Sequence, residues 1–281
     1  MEGDRGGWRG MTNGRTSSIP LSPLLFPFRP AMRSLSQSLA RFARDRTSGA
    51  AQLARLAATI IAEAERHGLP ARQLRRIRHR LALAHPAMAP VWNAAHAEDP
   101  EGFVTRSRQG AAAAARVARR LLSRKRVVTI SFSSTILEAL RGRWPLVCVA
   151  ESRPGGEGAR MVRALRRRGA HARGIPDSAV AAWVARAGAV VLGADAVTAH
   201  GVVNKIGSRL LALAARAEGL PCYVVSDTSK FAVPPHRFPA PRLSPDGRFE
   251  SVELDLITRV ITERGLLTPR FVELLVSRDA P

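Results

Sequence analysis

The chain has 281 residues, 46% of them hydrophobic, and a formal charge of +22. That apolar content supports one large core or two small ones, and no apolar run is long enough for a membrane-crossing helix. Only 5% of the residues are aromatic and the arginines are scattered over most predicted helices, which leaves few platforms for stacking bases and makes nucleic acid the less favoured partner. A cytoplasmic protein without membrane contact is the expectation.

Residues 1–31 carry Gly, Pro, Ser and Arg without periodicity. They read as a disordered leader, or as sequence upstream of a true start at Met32. From about 33 to 124 the pattern is helical, with no strand signal. SLSQSLARFARD sets Leu35, Leu39 and Phe42 on one face. The next helix takes Thr47 or Ser48 as N-cap, runs through Leu53, Leu56, Ile60 and Ile61, and stops at Gly68. PARQLRRIRHRLALAHP carries a third helix to Pro86, and a further one spans about 101–124 around the alanine run 111–115.

After residue 125 short β-rich runs alternate with helical ones. RVVTIS precedes STILEALRG, LVCVA precedes EGARMVRALRRRG, and AHARGI precedes SAVAAWVARAG. AVVLGAD then leads to NKIGSRLLALAARAEG, a helix opening at Asn204-Lys205, and CYVVS follows. LDLITRVITERG reads as the last helix, because Leu254, Ile257, Val260 and Ile261 recur at helical spacing. Strands each followed by a helix indicate right-handed crossovers and a parallel sheet. The fold class is therefore α/β: an N-terminal helical subdomain over 32–124, then a Rossmann-like parallel-sheet subdomain over 125–281.

In an open parallel sheet, ligands bind beyond the carboxyl ends of the strands. The polar residues there are Ser131, Ser133, Ser134 and Thr135 after the first strand and Glu151, Ser152 and Arg153 after the second. Asp195 follows VVLGA, and Ser226, Asp227, Thr228, Ser229 and Lys230 follow the last strand. Of the 44 basic residues only Lys125, Lys205 and Lys230 are lysines, so a lysine at this rim marks a place for a compact ammonium. Ser133, Ser134 and Thr135 at a helix start, with Arg153 and Lys205 on the same rim, suit a phosphate; plain N-capping is the simpler alternative. A partly desolvated Asp195 suits acid–base work or the orientation of sugar hydroxyls, against a structural pair with Lys205. Neither a P-loop nor a GxGxxG pattern is present. Cys148 and Cys222 lie in apolar runs and read as buried, inert thiols. Neither they nor the seven scattered histidines have metal-ligand spacing, so no metal or other cofactor is expected.

DRTSGAAQLA, HPAMAPVWN, VVTISFSSTILEAL, AESRPGGEGARM, GADAVTAHGVVNKIGS, SDTSKF and DLITRVITERGLLTP occur in that order over about residues 33–278. Together they resemble the motifs of the translation initiation factor 2B alpha/beta/delta family, which includes methylthioribose-1-phosphate isomerase and ribose-1,5-bisphosphate isomerase. The resemblance implies a helical and a Rossmann-like subdomain, usually a homodimer, and a sugar-phosphate pocket between the subdomains. In the isomerase branches it implies a Cys and an Asp that move a proton between adjacent carbons of an open-chain sugar. Asp195 matches the Asp, whereas Ser131 holds the position of the Cys. Ile130 replaces a usual His and His200 a usual Asn. Ser48, Gly49 and Ala50 match a phosphate-binding helix start, and His85 stands where an Arg is common. Arg153, Asn204 and Lys205 agree with sugar and phosphate contacts, and Glu157 replaces a usual Gln.

Three functions follow as expectations. The first is a protein that binds a phosphorylated sugar or nucleotide, regulatory or weakly catalytic because Ser131 replaces the thiol. The second is an aldose–ketose isomerase of a ribose phosphate that uses Asp195. The third is a translation- or RNA-associated binding protein.

Overall fold

The computed structural model describes residues 30–232, 243–244 and 246–278. The leader expected over 1–31 therefore lies outside the described residues as far as 29, and the first helix already includes Pro30 and Ala31.

Five helices come first: α1 (Pro30–Arg44), α2 (Ala50–Arg66), α3 (Ala71–Ala84), α4 (Ala89–His96) and α5 (Pro100–Leu122). Leu35, Leu39 and Phe42 are buried together, as their spacing requires, against Leu53, Ile60 and Ile61 of α2. Leu56, expected on the same face, is 40% exposed. Neither Thr47 nor Ser48 caps α2; Gly49 takes the N-cap position and no side chain closes that end. The short α4 is carried by Pro90 in its first turn. In α5, Asp99 accepts from the Gly102 amide at 2.8 Å, and Ala114, Ala115, Ala118 and Leu122 are fully buried. Those alanines let α5 lie close on the sheet, where they join Val127, Val149 and Val191 in one core. This helix packs on α2 as well, so it joins the helical part to the sheet.

Strands and helices then alternate: β1 (Arg126–Thr129), α6 (Ser134–Ala139), β2 (Leu146–Ala150), α7 (Glu157–Arg167), β3 (Ala172–Ile175), α8 (Val180–Val184) and β4 (Ala189–Leu192). Next come β5 (Ala196–Thr198), β6 (Gly201–Lys205), α9 (Ser208–Ala217), β7 (Cys222–Val225), β8 (Phe249–Glu253), β9 (Arg259–Thr262), β10 (Gly265–Leu267) and α10 (Pro269–Arg278). Seven strands form the main sheet in the order β10-β9-β7-β4-β1-β2-β3. All its pairings are parallel except β9 with β10. β5, β6 and β8 make a separate antiparallel sheet. Cys148 and Cys222 are buried in the main sheet, and desolvation pushes the Cys222 thiol up to about 12.

Two segments depart from the expected elements. Asn204 and Lys205 do not open a helix; they end β6, paired with Glu250 and Phe249 of β8. The helix waits until Ser208 because Gly207 turns the chain at φ +96°, and any Cβ there would come within 2.7 Å of Ile130 Cδ1. LDLITRVITERG is not a helix either. Leu254–Leu256 form a single 3₁₀ turn, and Val260 and Ile261 pair in parallel with Val224 and Val225 of β7. Consecutive β-branched residues fit a pleated strand better than a helix, and the turn Glu263-Arg264 leads into β10, which Gly265 opens at φ +106°.

The seat of α7 is set by Gly158, where a Cβ would stand 1.9 Å from the Ala150 carbonyl oxygen. Gly158→Ala is expected to destabilise the protein by about 2 kcal/mol or more, measured by urea unfolding against wild type. A loss below about 0.5 kcal/mol would show that α7 is free to shift off β2.

Candidate functional site

β1 pairs with β4 on one side and β2 on the other. The strand order reverses there, so the chains leaving β1 and β4 diverge and open a crevice beyond their carboxyl ends. The crevice is a cleft of about 510 Å³. One wall comes from the start of α2 and the turn before α4, the other from the ends of β1, β4 and β6, the first turn of α7, and Ser244, Asp246, Arg248 and Phe249 at the entry to β8.

Of the residues singled out from sequence, Ser48, Gly49, Ala50, His85, Ser131, Ser133, Ser134, Glu157, Asp195, Asn204, Lys205 and Lys230 all line the cleft. Thr135 does not: it is buried in α6. Arg153 does not either, because its exposed side chain turns to Glu151 at 3.7 Å. The cleft also includes Arg46, Arg55, Phe132, Arg160 and Arg248. Sequence reading passed over these arginines because nothing in so arginine-rich a chain distinguishes one from another.

At the helical wall, the α2 N-terminus opens into the cleft through Gly49 and Ala50 with no side-chain cap. Its free amides and dipole favour an anion. Just before it, the Asp45 carboxylate accepts the Thr47 and Ser48 amides at 2.8 and 2.9 Å. Against the desolvation that alone would raise it, hydrogen bonds from Ser48 and Thr47 hold its pKa well below the usual carboxylate range. His85 is tied by Nε2 to the Phe42 carbonyl at 2.8 Å. Burial lowers its pKa despite that bond, so near neutral pH it is an uncharged ring, unlike an arginine.

Ser131 leaves β1 with φ +66°, a left-handed conformation that costs a non-glycine residue about 1–2 kcal/mol. Its amide donates to the Ser152 hydroxyl at 2.7 Å, and that hydroxyl donates to the Ala150 carbonyl at 2.9 Å. Ser152 is itself at φ +69°. The Asp177 carboxylate holds it by accepting the Ser152 and Arg153 amides at 2.8 and 2.7 Å. Ser133 is the N-cap of α6 and accepts from the Ile136 amide, which is the plainer of the two roles its position suggested. It stands so close to Gly193 that a Cβ there would meet Ser133 Oγ at 3.0 Å.

Asp195 follows β4. Its amide donates to the Val203 carbonyl at 2.7 Å and its carbonyl accepts the Ala89 amide of α4 at 3.0 Å, so both halves of the fold fix its backbone. Desolvation raises its carboxyl from 3.8 to about 6; Lys230 and then Lys205 oppose the rise, and Glu157 adds to it. Lys230 Nζ donates to the Ala194 carbonyl at 2.6 Å. The turn bearing Lys230 is held by Asn93, whose amide donates to the Ser229 and Phe231 carbonyls at 2.8 and 2.9 Å. Asn204 donates to the Ser208 hydroxyl at 2.9 Å. The structural pair of Asp195 with Lys205, the alternative to a functional role, is not formed: Lys205 bonds Glu157, with Nζ 3.0 Å from the carboxylate. Arg160 lies over the Phe132 ring at 4.1 Å, a cation–π contact on the same side of the cleft.

No group of three or more His, Cys, Asp or Glu side chains could hold a metal among the described residues, and no helix there is long and apolar enough to cross a membrane.

Residues 28–236 match the sequence profile of the Initiation factor 2 subunit family. A Pyrococcus horikoshii protein described as like translation initiation factor eIF-2B subunit 2 is 38% identical over 112 residues, 37% of this chain and 40% of its own. A ribose 1,5-bisphosphate isomerase of Archaeoglobus fulgidus is 38% identical over 112 residues, 38% of this chain and 36% of its own. The matched stretches thus span well under two thirds of these curated relatives. Among solved structures, the Pyrococcus horikoshii translation initiation factor eIF-2B superposes with a TM-score of 0.76 at 25% identity, covering 84% of this chain and 97% of that one. The 5-methylthioribose 1-phosphate isomerase of the same organism superposes at 0.62 and 18% identity over 86% of each chain, a likeness of fold.

The raised Asp195 carboxyl has a consequence for stability. Between 3.8 and about 6 the folded state holds a proton that the unfolded state has released. The contribution from this group is therefore full below 3.8 and is lost as pH rises through 6. Asp195→Asn is expected to gain about 2 kcal/mol relative to wild type between pH 4 and pH 7.5, read from urea unfolding at both values. A difference that does not change with pH would mean that the carboxyl titrates normally.

Proposed function

Because the chain belongs to the initiation factor 2 subunit family, we propose that it binds a phosphorylated sugar or nucleotide in the cleft between a helical subdomain, 32–124, and a sheet subdomain, 125–281. It does so as a cytoplasmic homodimer and in a regulatory role, or with weak catalytic activity. The observation that carries this reading is the composition of the cleft: an uncapped helix N-terminus on one wall faces the half-buried Asp195 and two buried lysines on the other. The helix start and the arginines suit a phosphate. The acid and the amide of Asn204 suit hydroxyl groups.

Weak catalysis follows from the acid–base chemistry. Moving a proton between adjacent sugar carbons takes one group that accepts it and one that donates. Asp195, titrating at about 6, suits the first task near neutral pH. Ser131 is poorly suited to the second, since a hydroxyl gives up its proton far less readily than a thiol, whose ordinary pKa is about 8.5. Its hydroxyl has no histidine or carboxylate partner among the described residues that would activate it. The second reading, an aldose–ketose isomerase of a ribose phosphate, is favoured by the raised Asp195 pKa and by the relatives named as isomerases. A translation- or RNA-associated role rests on the relatives named as initiation factors. It predicts an affinity for RNA that falls steeply with salt.

Saturating ribose phosphates are expected to raise the melting temperature by about 5 °C or more, with little or no turnover of ribose 1,5-bisphosphate or methylthioribose 1-phosphate. Fast turnover that Asp195→Asn abolishes would establish the isomerase reading instead. Ser131→Cys is expected to raise turnover by about 10²-fold, the low end of what a well-placed proton donor contributes; no change would remove Ser131 from the account.

A further inference from the structure

The Lys205 ammonium, a natural grip for a phosphate, is already engaged. It donates to the Pro154 carbonyl and to Glu157 Oε1 at 3.0 Å, with Oε2 also at 3.0 Å. Its side chain is only 4% exposed. Arg248 Nη2 stands 3.6 Å from the same carboxylate and donates to the Arg46 carbonyl at 2.6 Å, so the carboxylate sits between two cations. It also folds back over Gly155, where a Cβ would meet Glu157 Oε1 at 2.6 Å; glycine at 155 is what lets it reach the lysine.

We infer that Glu157 is a built-in counter-anion that restricts the cleft to ligands carrying a single phosphate. This rests on the phosphosugar reading of the cleft and names its ligand class. A phosphate brought to the Lys205 wall meets a carboxylate and must compete with it for an ammonium that already donates to Pro154 and Glu157. A sugar hydroxyll at the same place meets no such conflict, because it donates to the carboxylate. The single phosphate then goes to the opposite wall, where the α2 N-terminus is uncapped and the nearby Asp45 carboxylate is occupied by the Thr47 and Ser48 amides. The Arg46 guanidinium lines that wall and donates to the Ala43 and Asp45 carbonyls at 2.8 and 3.2 Å.

Calorimetric titration of the full chain with ribose 1-phosphate, ribose 5-phosphate and ribose 1,5-bisphosphate tests this. Wild type is expected to bind one of the monophosphates at least about tenfold more tightly than the bisphosphate, and Glu157→Gln to shift that ratio toward the bisphosphate by about tenfold or more. Bisphosphate binding in wild type as tight as that of either monophosphate overturns the inference, and that measurement needs no variant to fold. A folded Glu157→Gln protein with the wild-type ratio overturns it too. If none of the three compounds binds wild type, the phosphosugar reading itself fails and takes this inference with it.

Discussion

The cleft depends on β1 pairing in parallel with two neighbours whose onward chains leave in opposite directions. Val127 and Val128 are in register with Val147 and Cys148 of β2 on one side and with Ala189 and Val190 of β4 on the other. The chains that follow β1 and β4 part at that point and cannot fill the space between them. Ser131 leaves one strand and Asp195 follows the other, so the two residues face a common void. The helical part completes the enclosure through α4, whose Ala89 amide binds the Asp195 carbonyl and whose Asn93 holds the Lys230 turn.

Within that enclosure, charge balance sets the chemistry. Lys205 and Lys230 are buried, and a buried ammonium is tolerated only with partners that replace water. Lys230 takes the Ala194 carbonyl and acts on Asp195 through space; Lys205 takes the Pro154 carbonyl and Glu157. The Asp195 carboxyl is therefore pulled two ways, up by desolvation and Glu157, down by the two lysines, and ends near 6. On the β1 side the constraint is conformational. Two left-handed serines, 131 and 152, are joined by a hydrogen bond, and Ser152 is held in turn by Asp177, an acid on a different loop that takes no part in lining the cleft.

Much of the fold was legible along the chain. Alternating apolar runs located β1, β2, β3, β4 and β7 and the helices between them, and the rule that ligands gather at carboxyl ends named Ser131, Ser133, Ser134, Asp195 and Lys230 among the cleft's lining. The misreadings share a cause. At 201–205 and 254–262 the apolar spacing is compatible with either period, and the decision came from pairing with strands distant in sequence: Asn204 with Glu250, and Val260 with Val224. Arg153 was placed on the right loop, but its side chain turned outward to Glu151, a choice that loop position does not reveal.

The order of motifs along the chain carried the family, and the sequence by itself determined the α/β class and the identity of the groups at the rim. These follow from local periodicity and residue chemistry. Only the tertiary structure decided which acid meets which base. Lys205 finds Glu157 across 48 positions, and Arg248 reaches the Arg46 carbonyl across 202. Such partnerships depend on where the chain returns in space, and the charge that a ligand meets in the cleft is set by them.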